Sequence, residues 1–202
     1  MLKLALPKGR LSEAVFSLLG QCGYLFNQST SSRQLVVEDD INQFTYYFVK
    51  PSDVVTYVEE GVCDIGVVGS DTLDEQTSDV YELLDLKIGV CKMVVAGKND
   101  MPINKIKRIA TKYPRIAKSY FNQLNQSVSI VKLNGSVELG PLVGLSDAIV
   151  DIYETGSTLR ANGLDVLDDV MPISSRLIVN KESYRRLALP IQSLLEKLEE
   201  VI

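Results

Sequence analysis

The chain has 202 residues, 46% of them apolar and 23% charged, enough for one large domain or two small ones around a buried core. Its net charge is −5 with no basic block, which argues against a nucleic-acid surface, and no apolar run reaches the length of a membrane span. It contains no histidine, so imidazole bases, His-based triads and His–metal sites are excluded, and any chemistry falls to carboxylates, Lys and Arg, hydroxyls, backbone N–H groups or a substrate-borne Mg²⁺.

In chain order, Leu2 to Leu6 reads as a short strand followed by a Pro-Lys-Gly-Arg loop. The start has the wrong order of charge and too short an apolar run for a signal peptide. Leu11, Val15, Leu18, Leu19 and Cys22 have helical spacing, with Gly23 as the stop. Gln34–Glu38 and Phe44–Lys50 are expected as two strands. A helix then begins at Pro51, with Ser52 or Asp53 as cap, and ends at Gly61. Asp64–Val68 is a buried strand running into a Gly-Ser-Asp turn, and Tyr81–Leu86 and Cys91–Ala96 are further strands.

From about residue 98 the pattern is βαβαβα. The strands are Arg108–Ala110, Val128–Leu133 and Ala148–Tyr153, and the helices start at Pro114, Val137 and after residue 158. That alternation predicts an α/β unit with a parallel sheet. Ile173–Val179 is one more strand, and Lys181–Ile202 an amphipathic helix broken near Pro190. With no Gly/Pro/Ser-rich linker, two lobes sharing their connecting strands are expected: 1–92 plus 169–202, and 93–168. The odd cysteine count (Cys22, Cys63, Cys91), without CxxC spacing, predicts reduced thiols and a cytoplasmic protein.

The stretch "SDAIVDIYETGSTL", residues 146–159, carries the most chemistry. In open α/β sheets ligands bind beyond the carboxyl ends of strands, where loops lead into helices, and Thr155, Gly156, Ser157 and Thr158 hold that position. A glycine permits a left-handed turn on which N–H groups converge, and the hydroxyls add donors, so the loop suits a phosphate dianion. Asp151, at the strand's carboxyl end, is placed to accept hydrogen bonds from vicinal sugar hydroxyls. Together they suit a ribose 5-phosphate. The same residues also fit a Ser/Thr-rich helix cap beside an Asp on an exposed strand face.

Asp-x-x-x-Thr-Gly-x-Thr resembles the phosphoribosyl-pyrophosphate loop of phosphoribosyltransferases. The longer string "GLSDAIVDIYETGSTLRANGL", residues 144–164, resembles the signature of the ATP phosphoribosyltransferases, which catalyse the first step of histidine biosynthesis. Further similarity lies in "LPKGRL" (6–11), "RQL" (33–35), "PSDV" (51–54), "CDIGVVGSDTL" (63–73), "RIATKYP" (108–114) and "LNGSVELGP" (133–141). The resemblance implies a bilobal fold like that of type II periplasmic binding proteins, with the active site in the cleft. At this length it implies the short form, which works with a regulatory subunit similar to histidyl-tRNA synthetase; feedback inhibition by histidine would then require that partner. A homodimer of this chain within the hetero-oligomer is expected.

The implied reaction joins N1 of the ATP adenine to C1 of phosphoribosyl pyrophosphate with loss of pyrophosphate, Mg²⁺ arriving on the substrate. Carried over by position, Thr155, Gly156, Ser157 and Thr158 match the 5-phosphate loop and Asp151 the ribose acceptor. Lys8 and Arg10 sit in a cationic loop that reaches polyphosphate or is simply a solvated turn. Arg33 matches a family arginine for the leaving group or the ATP phosphates, and Arg10 and Arg33 are the residues expected to act in catalysis. Glu138 is placed for the ribose or metal, or for its own helix. Lys50 stands where the family often has Arg, a point charge in place of a bidentate fork. Asp71 either faces the ATP side of the cleft or caps a helix, and Tyr113 either stacks on adenine or packs as core. Three rival readings have less support. A solute-binding protein of the same fold needs no such loop. Salvage phosphoribosyltransferases usually place two adjacent acids where this chain has Val150-Asp151. A catalytically silent regulatory subunit is the third.

Overall fold

The computed structural model describes residues 1–26 and 34–202. Along the chain it forms β1 (Leu2–Pro7), α1 (Arg10–Gln21), β2 (Val36–Asp39), β3 (Phe44–Val49), α2 (Val54–Glu59), β4 (Ile65–Gly69), α3 (Ser70–Glu75) and β5 (Val80–Asp85). Then come β6 (Cys91–Gly97), β7 (Arg108–Thr111), α4 (Pro114–Gln123), β8 (Ser129–Lys132), α5 (Leu139–Leu142), β9 (Ala148–Tyr153), α6 (Ser157–Ala161) and β10 (Asp165–Ile173). The chain closes with β11 (Ser175–Asn180), α7 (Lys181–Arg186) and α8 (Ala188–Glu199). Two compact units result. Unit 1 is Met1–Leu73, Thr77–Gly89 and Ser174–Ile202; unit 2 is Asp74–Gln76 and Val90–Ile173.

Unit 1 is built on a six-stranded sheet in the order β2-β3-β1-β4-β11-β5. β1 runs parallel to β3 and β4, while β2, β11 and β5 are antiparallel to their neighbours. The central strand has apolar residues on both faces, as a doubly covered strand requires. Leu4 and Leu6 pack with Ile65, Val67 and residues of α1 and α8 (Val15, Leu18, Ile191, Leu194). Ala5 faces the other way, with Val54, Val55 and Val58 of α2. α2 lies close on β4: a Cβ at Gly66 would come within 2.7 Å of Val58 Cγ2 and 2.8 Å of Val54 Cγ1.

Unit 2 has a five-stranded sheet in the order β10-β6-β9-β7-β8. One face (Met93, Val95, Ile109, Val150) packs on α4 through Ile116, Ala117 and Phe121. The opposite face (Val94, Ala96, Ala110, Ile149) is covered by Val137, Leu159 and Leu164. Alternation along β9 assigns the sides: Ile149 belongs to the second face, and Asp151 and Tyr153 follow at period two.

The structure differs from the sequence reading at several points. The sheet of unit 2 is mixed: β7, β8 and β9 are parallel, whereas β6 is antiparallel to both β9 and β10. β10 was not foreseen because it is an edge strand carrying Asp165, Asp168 and Asp169, Pro172 and two register shifts, features that blunt an edge and hide the apolar alternation. The expected lobe boundaries at 92/93 and 168/169 fall inside β6 and β10, which pair with each other and so stay in one unit. The C-terminal helix breaks at Leu187. Pro190 instead sits in the first turn of α8, where its missing N–H costs no intrahelical bond. Asp53 occupies the position before α2 but makes no capping bond; its carboxylate accepts the Ser52 hydroxyl at 2.8 Å.

Candidate active site

In unit 2 the strand β9 ends at Tyr153 and the chain turns through Glu154 and Thr155 into α6. Gly156 stands before the helix at φ 69°, ψ 9°, the left-handed region that a glycine permits. The loop is internally tied: Thr155 Oγ1 lies 3.1 Å from Ser157 Oγ, and the Arg160 guanidinium donates to the Thr155 carbonyl at 2.8 Å. Thr155, Ser157 and Thr158 are exposed, while Gly156 is buried. Asp151 is half-buried and pairs with Val94 across the sheet, two residues before Tyr153 and on the same face. The phosphate-type loop and the carboxylate are therefore presented at one end of one strand.

Glu138 is half-buried immediately before α5 and makes no side-chain capping bond. Tyr113 is 7% exposed and packs into the core beneath α4, and its N–H donates to Thr111 Oγ1 at 2.8 Å. Of its two readings the structure gives the core one. The hydroxyl of Thr111 in turn donates to the Val150 carbonyl at 2.6 Å, so Tyr113 is drawn inward by the stitching of β7 to β9.

In unit 1, Lys8 and Lys50 follow the parallel neighbours β1 and β3, with Pro7 registered on Val49 and the Lys8 N–H bonded to the Val49 carbonyl at 3.0 Å. Both lysines are exposed at the carboxyl ends of those strands. Arg10 is the exposed first residue of α1, whose start is fixed by the Ser12 hydroxyl and N–H on the Gly9 carbonyl, at 2.7 and 3.1 Å. Three cations thus follow the carboxyl ends of two interior strands of the unit 1 sheet. Asp71 lies inside the first turn of α3, 8% exposed, with its carboxylate folded back over Gly69. It is a residue of the turn itself and does not occupy the capping position. Arg33 lies outside the described residues.

Two residues next to the loop were missed. Arg160 carried no motif signal, because a single arginine on a short helix is ordinary. Tyr153 was detectable: its period-two spacing from Asp151 puts it on the loop's face.

The fold defines the class first. The chain resembles the periplasmic VFT2 domain of BvgS from Bordetella pertussis, at 16% identity and TM-score 0.64, covering 100% of this chain and 87% of that one. It also resembles the periplasmic aliphatic sulphonate binding protein SsuA of Escherichia coli, at 14% identity and TM-score 0.61, covering 99% and 72%. These likenesses concern fold alone: the protein has two α/β units, in a fold similar to that of periplasmic binding proteins. Residues 50–200 match the family described as HisG, ATP phosphoribosyltransferase. An ATP phosphoribosyltransferase of Thermoanaerobacter sp. (strain X514) is 50% identical over 204 residues, 100% of this chain and 96% of the relative. One from Clostridioides difficile (strain 630) is 49% identical, covering 99% and 98%. The ATP phosphoribosyl transferase (HisG:HisZ) complex from Thermotoga maritima contains a chain 41% identical with TM-score 0.83, covering 100% and 98%. The chain belongs to the ATP phosphoribosyltransferase family, a family of pentosyltransferases.

Proposed function

We propose that the chain performs its family's transfer with the groups described above. Adenine N1 of ATP attacks C1 of phosphoribosyl pyrophosphate, the N1–C1 bond forms as the C1–O bond breaks, and pyrophosphate leaves to give N1-(5-phosphoribosyl)-ATP. This is the first step of histidine biosynthesis. Adenine N1 is unprotonated near neutrality, so the step needs little proton transfer, and a chain without histidine is equal to it. The barrier is one of charge separation, which positioning and preorganised dipoles lower.

The observation that supports this reading best is the left-handed turn at Gly156, with its hydroxyl residues exposed, at the end of the strand that carries Asp151. Thr155, Gly156, Ser157 and Thr158 take the 5-phosphate, Asp151 accepts from the ribose hydroxyls, and Glu138 meets the ribose or its metal. Lys8, Arg10 and Lys50 hold polyphosphate, with Arg33 and Asp71 as further candidates. Magnesium enters as the counter-ion of the pyrophosphate on the substrate. The chain works as a homodimer within a hetero-oligomer, beside a synthetase-like regulatory subunit, in the cytoplasm; the similar Thermotoga chain is part of a HisG:HisZ complex. No described helix is long and apolar enough to cross a membrane, and the three cysteines are free thiols.

The test is pyrophosphate release by the purified chain with Mg²⁺, ATP and phosphoribosyl pyrophosphate, each substrate omitted in turn. Release that needs both substrates and yields a ribosylated adenine supports the reading. Silence relieved by the synthetase-like subunit supports it together with the partnership. Silence of a folded, ATP-binding chain even with the partner would favour a binding-only or regulatory role and overturn it.

A further inference from the structure

The phenol ring of Tyr153 fits against the turn that it precedes. A Cβ placed on Gly156 would lie 2.5 Å from Tyr153 Cε2, 2.6 Å from its Oη and 2.7 Å from its Cζ. On the neighbouring strand β6, Lys92 stands directly opposite Tyr153, with its Nζ 5.5 Å from the ring centroid. That ammonium is held by both carboxylate oxygens of Asp169 on β10, at 2.7 and 2.9 Å. A row therefore runs across three strands: Asp169, Lys92, the Tyr153 ring and the Gly156 turn. The side-chain ties of the loop are exposed: the Thr155–Ser157 hydroxyl contact, the Ser157 N–H on Thr155 Oγ1 at 3.5 Å, the Arg160 bond to the Thr155 carbonyl and the Asn162 amide on the Thr158 carbonyl; the backbone adds the Arg160 N–H on the Gly156 carbonyl at 3.1 Å. Exposed polar contacts of this kind hold a loop weakly, whereas an aromatic face in contact with the backbone fixes its position.

We propose that Tyr153 is a positioning residue whose ring sets the 155–158 turn, and that the Lys92–Asp169 pair sets the ring. The cation lies within reach of the ring's negative face, and Asp169 keeps the ammonium from swinging away. The consequence for substrate rests on the phosphate reading of the loop. A turn already set needs no ordering when the 5-phosphate arrives, and losing that preorganisation lowers affinity for phosphoribosyl pyrophosphate alone.

The experiment uses the full chain with Tyr153→Ala, Tyr153→Phe and, should the alanine variant fail to fold, Tyr153→Leu, which keeps apolar bulk without the flat ring. Two readouts are taken: amide hydrogen exchange of residues 155–158 without substrate, and calorimetric binding of phosphoribosyl pyrophosphate with Mg²⁺ alongside ATP. Removing the ring is expected to speed exchange at 155–158 by about tenfold and to weaken phosphoribosyl pyrophosphate by about tenfold, with ATP unchanged and Phe like wild type. Unaltered exchange in the ring-less variant would overturn the proposal. So would exchange accelerated throughout unit 2, the mark of a core residue with no special hold on the loop. Weak binding by the Phe variant with normal exchange would overturn it in favour of direct contact by the hydroxyl. If wild type binds no phosphoribosyl pyrophosphate, the functional reading falls, and the exchange data alone decide the brace.

Discussion

Gly156 combines a backbone angle, φ 69°, that disfavours a side chain with a neighbour, the Tyr153 ring, that leaves no room for one. Gly156→Val is therefore expected to lower kcat/KM by about 100-fold or more while far-UV circular dichroism stays native. Asp151→Asn keeps the shape but loses the anionic acceptor, a loss of about 100-fold in kcat/KM seen mainly with phosphoribosyl pyrophosphate. Steady-state kinetics of the two folded variants decide both; wild-type-like turnover in Gly156→Val would remove the loop from the site. The left-handed turn at Gly156 could be read from sequence because a motif fixes its neighbours. The closeness of the Tyr153 ring to Gly156 could not, because spacing names a face of the sheet but not the direction in which a ring leans. Cys63 supplies a pH prediction: burial, with Asp64 adding to it, pushes its thiol from 9.0 up to about 12. A raised folded-state value gives stability that is complete below pH 9 and lost as pH rises toward 12. The melting temperature of wild type should fall more steeply over that interval than that of Cys63→Ala, and equal slopes would refute the assignment.

Among the elements, α7 is joined to α2 by one side chain. Asn180 Oδ1 accepts from the N–H groups of Glu182 and Ser183, at 3.0 and 2.9 Å, while its Nδ2 donates to the carbonyls of Val58 and Glu59. Asn180→Ala removes an N-cap and the amide donor to the Val58 and Glu59 carbonyls, a loss of about 2 kcal/mol. In a chain of this size that lowers the melting temperature by about 4–8 °C. Calorimetry showing a shift under a degree would mean that water replaces the asparagine. Elements with regular periodicity, such as α1, β4 and α4, were legible in the sequence because burial imposes a repeat of 3.6 or a continuous apolar run. β10 was not, since its outer side answers to solvent and to protection against edge pairing, and both demands favour aspartate and proline over alternation.

For the whole molecule, the two units are assembled from the chain in unlike ways. Unit 1 needs three separated stretches, and β11, from the third, lies between β4 and β5. Unit 2 holds all of its strands, β6 to β10, within one continuous stretch. A fragment spanning residues 90–173 should therefore fold alone with a cooperative thermal transition. It would be weakened by the loss of Glu75, whose carboxylate accepts the N–H groups of Arg115 and Ile116 at the start of α4. A chain ended at residue 173 should lose unit 1, because β5 would have no partner strand and β4 would be left an open edge. Circular dichroism melts of both pieces test this, and a fragment 90–173 without a transition would contradict it.

The sequence by itself determined the chemistry that is available and where one left-handed turn lies. An absent histidine, a Thr-Gly-Ser-Thr turn and an aspartate five residues before the glycine are local facts, and backbone sterics and functional-group chemistry act on them directly. Only the tertiary structure decided which strands are neighbours. The antiparallel insertion of β11, the pairing of β6 with both β9 and β10, and the burial of Tyr113 all depend on contacts between residues far apart in the chain. Strand pairing is made by backbone groups that every residue carries, so it leaves little mark in a sequence; the side chains record only whether a face is covered, not by what.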